Sequence, residues 1–148
     1  MNASPTQKTP LGNRGRGIEV SVFAELTVLV MVPVFALGRL ATWIDWRVVL
    51  GGSVGMSLIA YFIYGFDKRR AETNGQRVPE TILHAVELFG GWPGAFLAQR
   101  KLRHKTSKTS YQVVFWLIIL AHQFAALDFL LRGRLTQGLI HLIKAPTD

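Results

Sequence analysis

The chain has 148 residues, 49% of them hydrophobic and 18% charged, with 17 Lys and Arg against 9 Asp and Glu and a formal net charge of +8. An average soluble domain carries about 25% charged residues, and here the few charges are gathered between long apolar runs. Such a composition excludes a disordered or collagen-like chain, the lack of cysteine excludes a disulfide scaffold, and the length leaves room for one domain.

Residues 1–17 hold Pro5, Pro10, Gly12, Gly15 and Gly17 without any apolar period, and are expected to be a disordered basic tail. The single Arg-Gly-Arg-Gly stretch there, Arg14 to Gly17, reads as a positive flank rather than an RNA-binding tract. Ile18–Gly38 follows as an apolar run of 21 residues carrying Glu19, Glu25 and Pro33. No small-residue cleavage pattern comes after it, so it is a retained anchor rather than a secretory signal. Val48–Phe66 is a run of 19 residues without a charge, and Thr109–Leu127 is another run of 19. A helix needs about 20 apolar residues to cross roughly 30 Å of hydrocarbon. A buried helix of a soluble bundle would keep a polar stripe, and Val48–Phe66 offers only Ser53, Ser57 and glycines. Trp43, Trp46 and Tyr64 lie near the ends of the first two runs, where amphipathic rings favour a membrane interface.

Thr81–Gln99 is ambiguous. It is 19 residues long, but Glu87 and Gly90-Gly91-Trp92-Pro93-Gly94 interrupt it. Cytoplasmic loops are enriched in Lys and Arg. The tail (Lys8, Arg14, Arg16), the stretch after the second run (Lys68, Arg69, Arg70, Arg77) and the stretch 100–108 are the basic ones. Placing all three in the cytoplasm forbids 81–99 from crossing. The segment would then enter and turn back at its glycines, a geometry tolerated only where protein or a wet cavity shields the backbone. A fourth full span packed through its glycines is the competing reading. The expected fold is therefore an all-α membrane protein with three transmembrane helices plus a re-entrant or fourth spanning helical hairpin. Residues 18–131 form the polytopic domain, and 132–148 a short interfacial or flexible C-terminal segment on the outer side.

Four ordered motifs lie between Tyr64 and Phe115: Asp67-Lys68 with Ala71; Arg77 and Glu80; Gly90-Gly91-Trp92-Pro93-Gly94-Ala95; and Arg103-His104-Lys105-Thr106 with Lys108, with Val114-Phe115-Trp116 following. In that order they resemble the bacterial membrane family DUF1294, over about a third of the chain. The resemblance implies a small polytopic protein of the bacterial cytoplasmic (inner) membrane and carries no established activity. Many members place a cold-shock, nucleic-acid-binding domain ahead of the membrane part. The 17 residues before the first run are too few for its five-stranded barrel, which argues against a nucleic-acid partner.

Several polar residues stand out against the apolar background. Lys68 to Arg70 suit a helix end at an anionic surface, whereas Asp67 asks for a cation, one from 100–108 being the natural source. Val78-Pro79-Glu80 reads as a helix start. Glu80, His84 and Glu87 fall on one helical face and, with His104 across the hairpin, form an oxygen and nitrogen set. Pairing of those carboxylates with Arg77, Arg100 or Lys105 is the simpler account, so no metal and no cofactor is assigned. His104, Lys105, Thr106 and Lys108 gather donors beside the membrane, where with Arg77 and Arg69 they suit a phosphate or lipid headgroup; Thr106 or Ser110 would cap the next helix. Glu25 and His122 lie within runs, where a pair between neighbouring helices would serve as a packing contact or, alternatively, a proton relay.

These features support a small membrane protein whose basic cytoplasmic face binds an anionic partner: a phospholipid headgroup, an acidic protein or nucleic acid. The alternative is a membrane-embedded enzyme or carrier acting on a lipid or small anion. In either case the candidate binding set is Asp67, Lys68, Arg77, Glu80, Gly90, Gly91, Gly94, His104, Lys105, Thr106 and Lys108. No nucleophile and base spacing assigns a catalytic residue.

Overall fold

Apolar runs with no strand partner can satisfy their backbone amides and carbonyls only internally, as helices. The computed structural model describes residues 14–73, 75–103, 105, 106 and 108–144, with side chains from residue 21 onward, and no strand occurs among them. The elements in chain order are α1 (Arg14–Leu40), α2 (Trp46–Glu72), α3 (Glu80–Val86), a π-helical turn (Glu87–Gly91), α4 (Trp92–Leu102), α5 (Thr109–Leu130) and α6 (Arg134–Lys144). Ser21–Leu40 of α1, α2 and α5 are long and apolar enough to cross a membrane. At 1.5 Å per residue, 27 residues of α2 extend about 40 Å, so its basic last turns outrun the hydrocarbon. The outward faces are apolar, with Val28, Phe35, Val48, Phe62, Leu117 and Leu120 all more than half exposed. A surface of that kind suits lipid rather than water.

Contacts along the helices set their directions. Gln123 Nε2 donates to the Leu29 carbonyl at 2.6 Å and Arg39 Nη1 to the Leu130 carbonyl at 3.2 Å, so α1 and α5 run parallel. The short connection 41–45 reverses the chain into α2, where Asp45 caps the helix by accepting from the Arg47 amide at 2.8 Å. One end of the bundle thus gathers the end of α2, the loop 103–108 and the start of α5. The other end holds the α1–α2 turn and α6.

The segment 81–99 doubles back. The Val78 amide donates to Asp67, Glu87 reaches Tyr64, and Gly91 abuts the carbonyl of Met56 and the methyl of Ala60, so the first arm descends α2. Backbone helicity is broken at Phe89 (φ −80°, ψ 19°) and Gly90 (φ 97°, ψ 4°). The positive φ of Gly90 is one that side chains with a Cβ rarely adopt. From Gly94, which lies against Ser57, α4 climbs back past Tyr64, which Gln99 contacts, to Leu102 beside Gly65. A Cβ on Gly94 would come within 1.7 Å of the Ser57 carbonyl oxygen, so the two backbones touch. The buried core clusters around this hairpin: Ala60, Tyr64, Leu83, Trp92, Phe96, Tyr111, Phe115 and Ile119, with Ala95 and Ala98 keeping α4 close.

Three expectations change. Tyr64 is a core residue, only 1% exposed, because its hydroxyl is used inside the bundle rather than at an interface. Glu25 and His122 do not pair: Glu25 meets Arg100 at 3.0 Å, while His122 Nδ1 bonds the Ile118 carbonyl at 2.8 Å, a helical turn away on its own helix. Neither Thr106 nor Ser110 caps α5, whose cap position is Lys108 without a side-chain bond.

Candidate functional site

Two polar layers fill the hairpin, one within the bundle and one at its basic end. The inner layer centres on Glu87, which is fully buried. Glu87 Oε1 accepts from the hydroxyls of Tyr64 and of Tyr111, the latter at 2.7 Å, and the two hydroxyls also touch. Its Oε2 meets His84 Nδ1 at 2.7 Å, and the His84 ring stacks on Tyr111 with centroids 4.2 Å apart. Gln99 Nε2 donates to the Tyr64 hydroxyl at 3.0 Å, and Gln112 Nε2 donates to Gln99 Oε1 at 2.6 Å and to the Lys105 carbonyl at 2.9 Å. A continuous hydrogen-bond chain therefore runs from the loop after α4 to the first arm, through groups on α2, α3, α4 and α5. Among the described residues no buried side-chain nitrogen or oxygen lacks a partner. Satisfied networks of this kind rigidify a core, because breaking any link leaves a costly orphan.

The outer layer is an ionic clasp. Asp67, fully buried, accepts from the Val78 amide at 2.9 Å and pairs with Lys105 Nζ at 3.2 Å. Lys105 Nζ also lies 3.5 Å from Glu80 Oε1 and 5.0 Å from the Tyr111 ring centre, and Lys108 Nζ grips both Glu80 oxygens at 3.0 and 2.8 Å. The loop from 103 to 108 is thereby tied to the start of α3 and the end of α2. Lys108 hydrogen bonding, followed by the field of Lys105, holds the Glu80 carboxyl below the usual carboxylate range. The sequence expectation that Asp67 needs a cation from 100–108 is met by Lys105.

The structure divides the sequence candidates by role. Asp67, Glu80, Lys105 and Lys108 come together in the clasp, and Lys68 pairs with Glu72 at 3.6 Å. Gly90, Gly91 and Gly94 form the kink and its close contact with α2, away from the charges. Arg77 and Thr106 are exposed near the clasp, while His104 lies outside the described residues. Among the described residues no group of three His, Cys, Asp or Glu is placed to hold a metal, since Glu80 faces lysines while His84 and Glu87 bond each other. Sequence reasoning passed over Tyr64, Gln99, Tyr111 and Gln112 as site residues. The available signal was that each places a hydroxyl or amide inside an apolar stretch, where a partner is obligatory.

Three helices able to cross a membrane, holding a kinked hairpin by a polar core, define a small polytopic helical membrane protein. Residues 57–111 match the model of a family described as protein of unknown function (DUF1294), the family that the ordered motifs resemble. The match opens at Ser57, on which Gly94 packs, and closes at Tyr111 in the polar core, so it spans the hairpin and the part of α2 that docks it. No curated protein and no solved structure matches the chain.

Proposed function

We propose that this chain is a non-enzymatic protein of a bacterial inner membrane that presents a basic cytoplasmic surface to an anionic partner, first of all phospholipid headgroups. In this reading α1, α2 and α5 cross the bilayer, and the α3–α4 hairpin enters from the cytoplasmic side and turns back near the midplane. The end holding Lys68, Arg69, Arg70, Arg77, Arg100, Lys101 and Arg103 is cytoplasmic by its excess of Lys and Arg.

One observation carries the binding reading: among the described residues, the acid side chains at that end are already engaged. Asp67 and Glu80 are held by Lys105 and Lys108, Glu72 by Lys68 and Glu25 by Arg100. Arg69, Arg70, Arg77, Lys101 and Arg103 stay exposed around this neutralised centre. A closed, ion-paired clasp favours a scaffold with a charged rim over an open catalytic pocket. Cations near an anionic surface each contribute about 1 kcal/mol.

The test uses the full chain in phosphatidylcholine nanodiscs, offered phosphatidylglycerol vesicles, polyglutamate and a single-stranded RNA oligonucleotide. Binding to the anionic vesicles is expected, with a loss of about tenfold or more in the triple variant R69Q/R70Q/R77Q. Preference for polyglutamate or RNA would reassign the partner. Binding to none of the three removes the reading.

A further inference from the structure

The hairpin fills only part of the bundle. Its tip stops at the level of Met56 to Ala60 on α2, and the first turns of α2 face α1 and α5 across an opening. This opening has a volume of about 1050 Å³, just above the usual range for ligand cavities. Its floor is the kink, with Phe89, Trp92 and Pro93, and its walls are mostly apolar side chains of α1, α2 and α5, with Ser53, Ser57 and His122 among them. Toward the α1–α2 turn it adjoins a second recess, with which it shares Ala125 and Phe129 and which Arg39, Trp43, Asp128 and Arg132 line. The recess is net cationic, two arginines against one carboxylate. Asp128 keeps its charge but has its oxygens turned to the start of α6, accepting from the amides of Leu135 and Thr136 at 3.0 and 3.1 Å and from the Thr136 hydroxyl at 2.6 Å. Arg39 uses Nη1 on the Leu130 carbonyl, and its remaining guanidinium donors are available to a phosphate.

An apolar slot ending in two arginines beside a tryptophan matches one chemistry. We propose that the opening holds the acyl chain of an anionic phospholipid, with its phosphate between Arg39 and Arg132. The proposal rests on the membrane reading above but concerns the opposite end of the bundle, so this lipid belongs to the leaflet away from the basic loops. An apolar helix of a second copy would use the slot but not the paired arginines, which is why a lipid is the better occupant.

The experiment is native mass spectrometry of the full chain released from nanodiscs of phosphatidylglycerol or phosphatidylcholine with identical acyl chains. The wild type is expected to retain phosphatidylglycerol about tenfold better than phosphatidylcholine. Gly52 lines the slot, and a Cβ there meets nothing within 4 Å, so Gly52→Phe introduces a ring into the slot from an unobstructed attachment point. It should lower retention of both lipids, whereas R39Q/R132Q should bring phosphatidylglycerol down to the phosphatidylcholine level. All of these comparisons are made in the R69Q/R70Q/R77Q background, which removes the cytoplasmic binding surface; R47Q, at the same end as the recess but outside its lining, should change neither.

Retention unaffected by Gly52→Phe, or lowered by R47Q as much as by R39Q/R132Q, overturns the proposal. So does release of a lipid-free dimer that Gly52→Phe dissociates, which makes the occupant a second copy. Absence of any retained lipid overturns it too, and leaves the cytoplasmic reading standing if the vesicle assay is positive.

Discussion

Glu87 shows how much one buried carboxyl can organise: two tyrosines from different helices and a histidine of the preceding α3 converge on its two oxygens. Replacing it with Leu strands those donors, each costing about 1–3 kcal/mol when left unpaired. Since 1 kcal/mol shifts Tm by roughly 2–4 °C in a chain of this size, E87L should melt well below the wild type by circular dichroism in detergent. Adding Y64F and Y111F removes the stranded hydroxyls and should recover part of the loss. A triple variant as unstable as E87L would show that packing, not pairing, is what Glu87 contributes. Glu80 supplies a pH signature. Its folded carboxyl is held below its ordinary range, so its pairing stabilises the fold above the usual glutamate value of about 4.3 and is lost as pH falls through the lowered value. E80Q should therefore melt slightly below the wild type at neutral pH, and the gap should close in strong acid. The effect is small because the Glu80 side chain is 38% exposed.

The hairpin is the element that gives the bundle its character. It depends on two glycines for different reasons: Gly90 supplies a positive φ, and Gly94 lets α4 touch the α2 backbone. Gly94→Leu should destabilise by more than the 1–3 kcal/mol usual for overpacking, since the contact is with rigid backbone rather than a movable side chain. Gly51→Ala, at an open position of α2, is the matched control and should leave Tm unchanged. Equal melting of the two variants would mean that α4 does not dock on α2 in the native protein. The hairpin was partly legible. The run Gly90-Gly91-Trp92-Pro93-Gly94 marks an interruption, and Val78-Pro79-Glu80 marks a start that the structure places at Glu80. The choice between crossing and doubling back was not legible, because it depends on which α2 residues the two arms meet. α6 lies in the stretch 132–148 that the sequence reads as a short interfacial or flexible segment. It is an eleven-residue helix whose Leu139, Ile140, Leu142 and Ile143 are all exposed, the face expected of an interfacial helix.

For the whole molecule, the parallel course of α1 and α5, with α2 reversed, puts the loops 73–79 and 103–108 at one end and α6 at the other. The native chain lacks cysteine, so single Cys residues report position cleanly. Introduced at Gln76, Thr106 and His141, all exposed, they should divide under a membrane-impermeant thiol reagent. The first two should label only after cell lysis, and the third in intact cells. Labelling of 76 and 106 from opposite sides would make 81–99 a full span and separate Glu80 from Lys108, in conflict with their ion pair.

Residue types and their spacing determined the helical class and the three helices long and apolar enough to cross a membrane. These properties follow from local composition: a run of about 20 apolar residues has few alternatives to a helix in lipid, and clustered cations stay at its ends. The need of Asp67 for a cation was also visible, since a carboxylate beside an apolar run rarely stands alone. Only the tertiary structure decided that Tyr64, Glu87, Gln99 and Tyr111 share one network, that Glu25 meets Arg100 instead of His122, and that the hairpin leaves an opening beneath its tip. Hydrogen-bond partners from separate helices are set by how far each helix slides and turns against the next. That offset arises from backbone contacts such as Gly94 on Ser57, which no single segment of the chain encodes by itself.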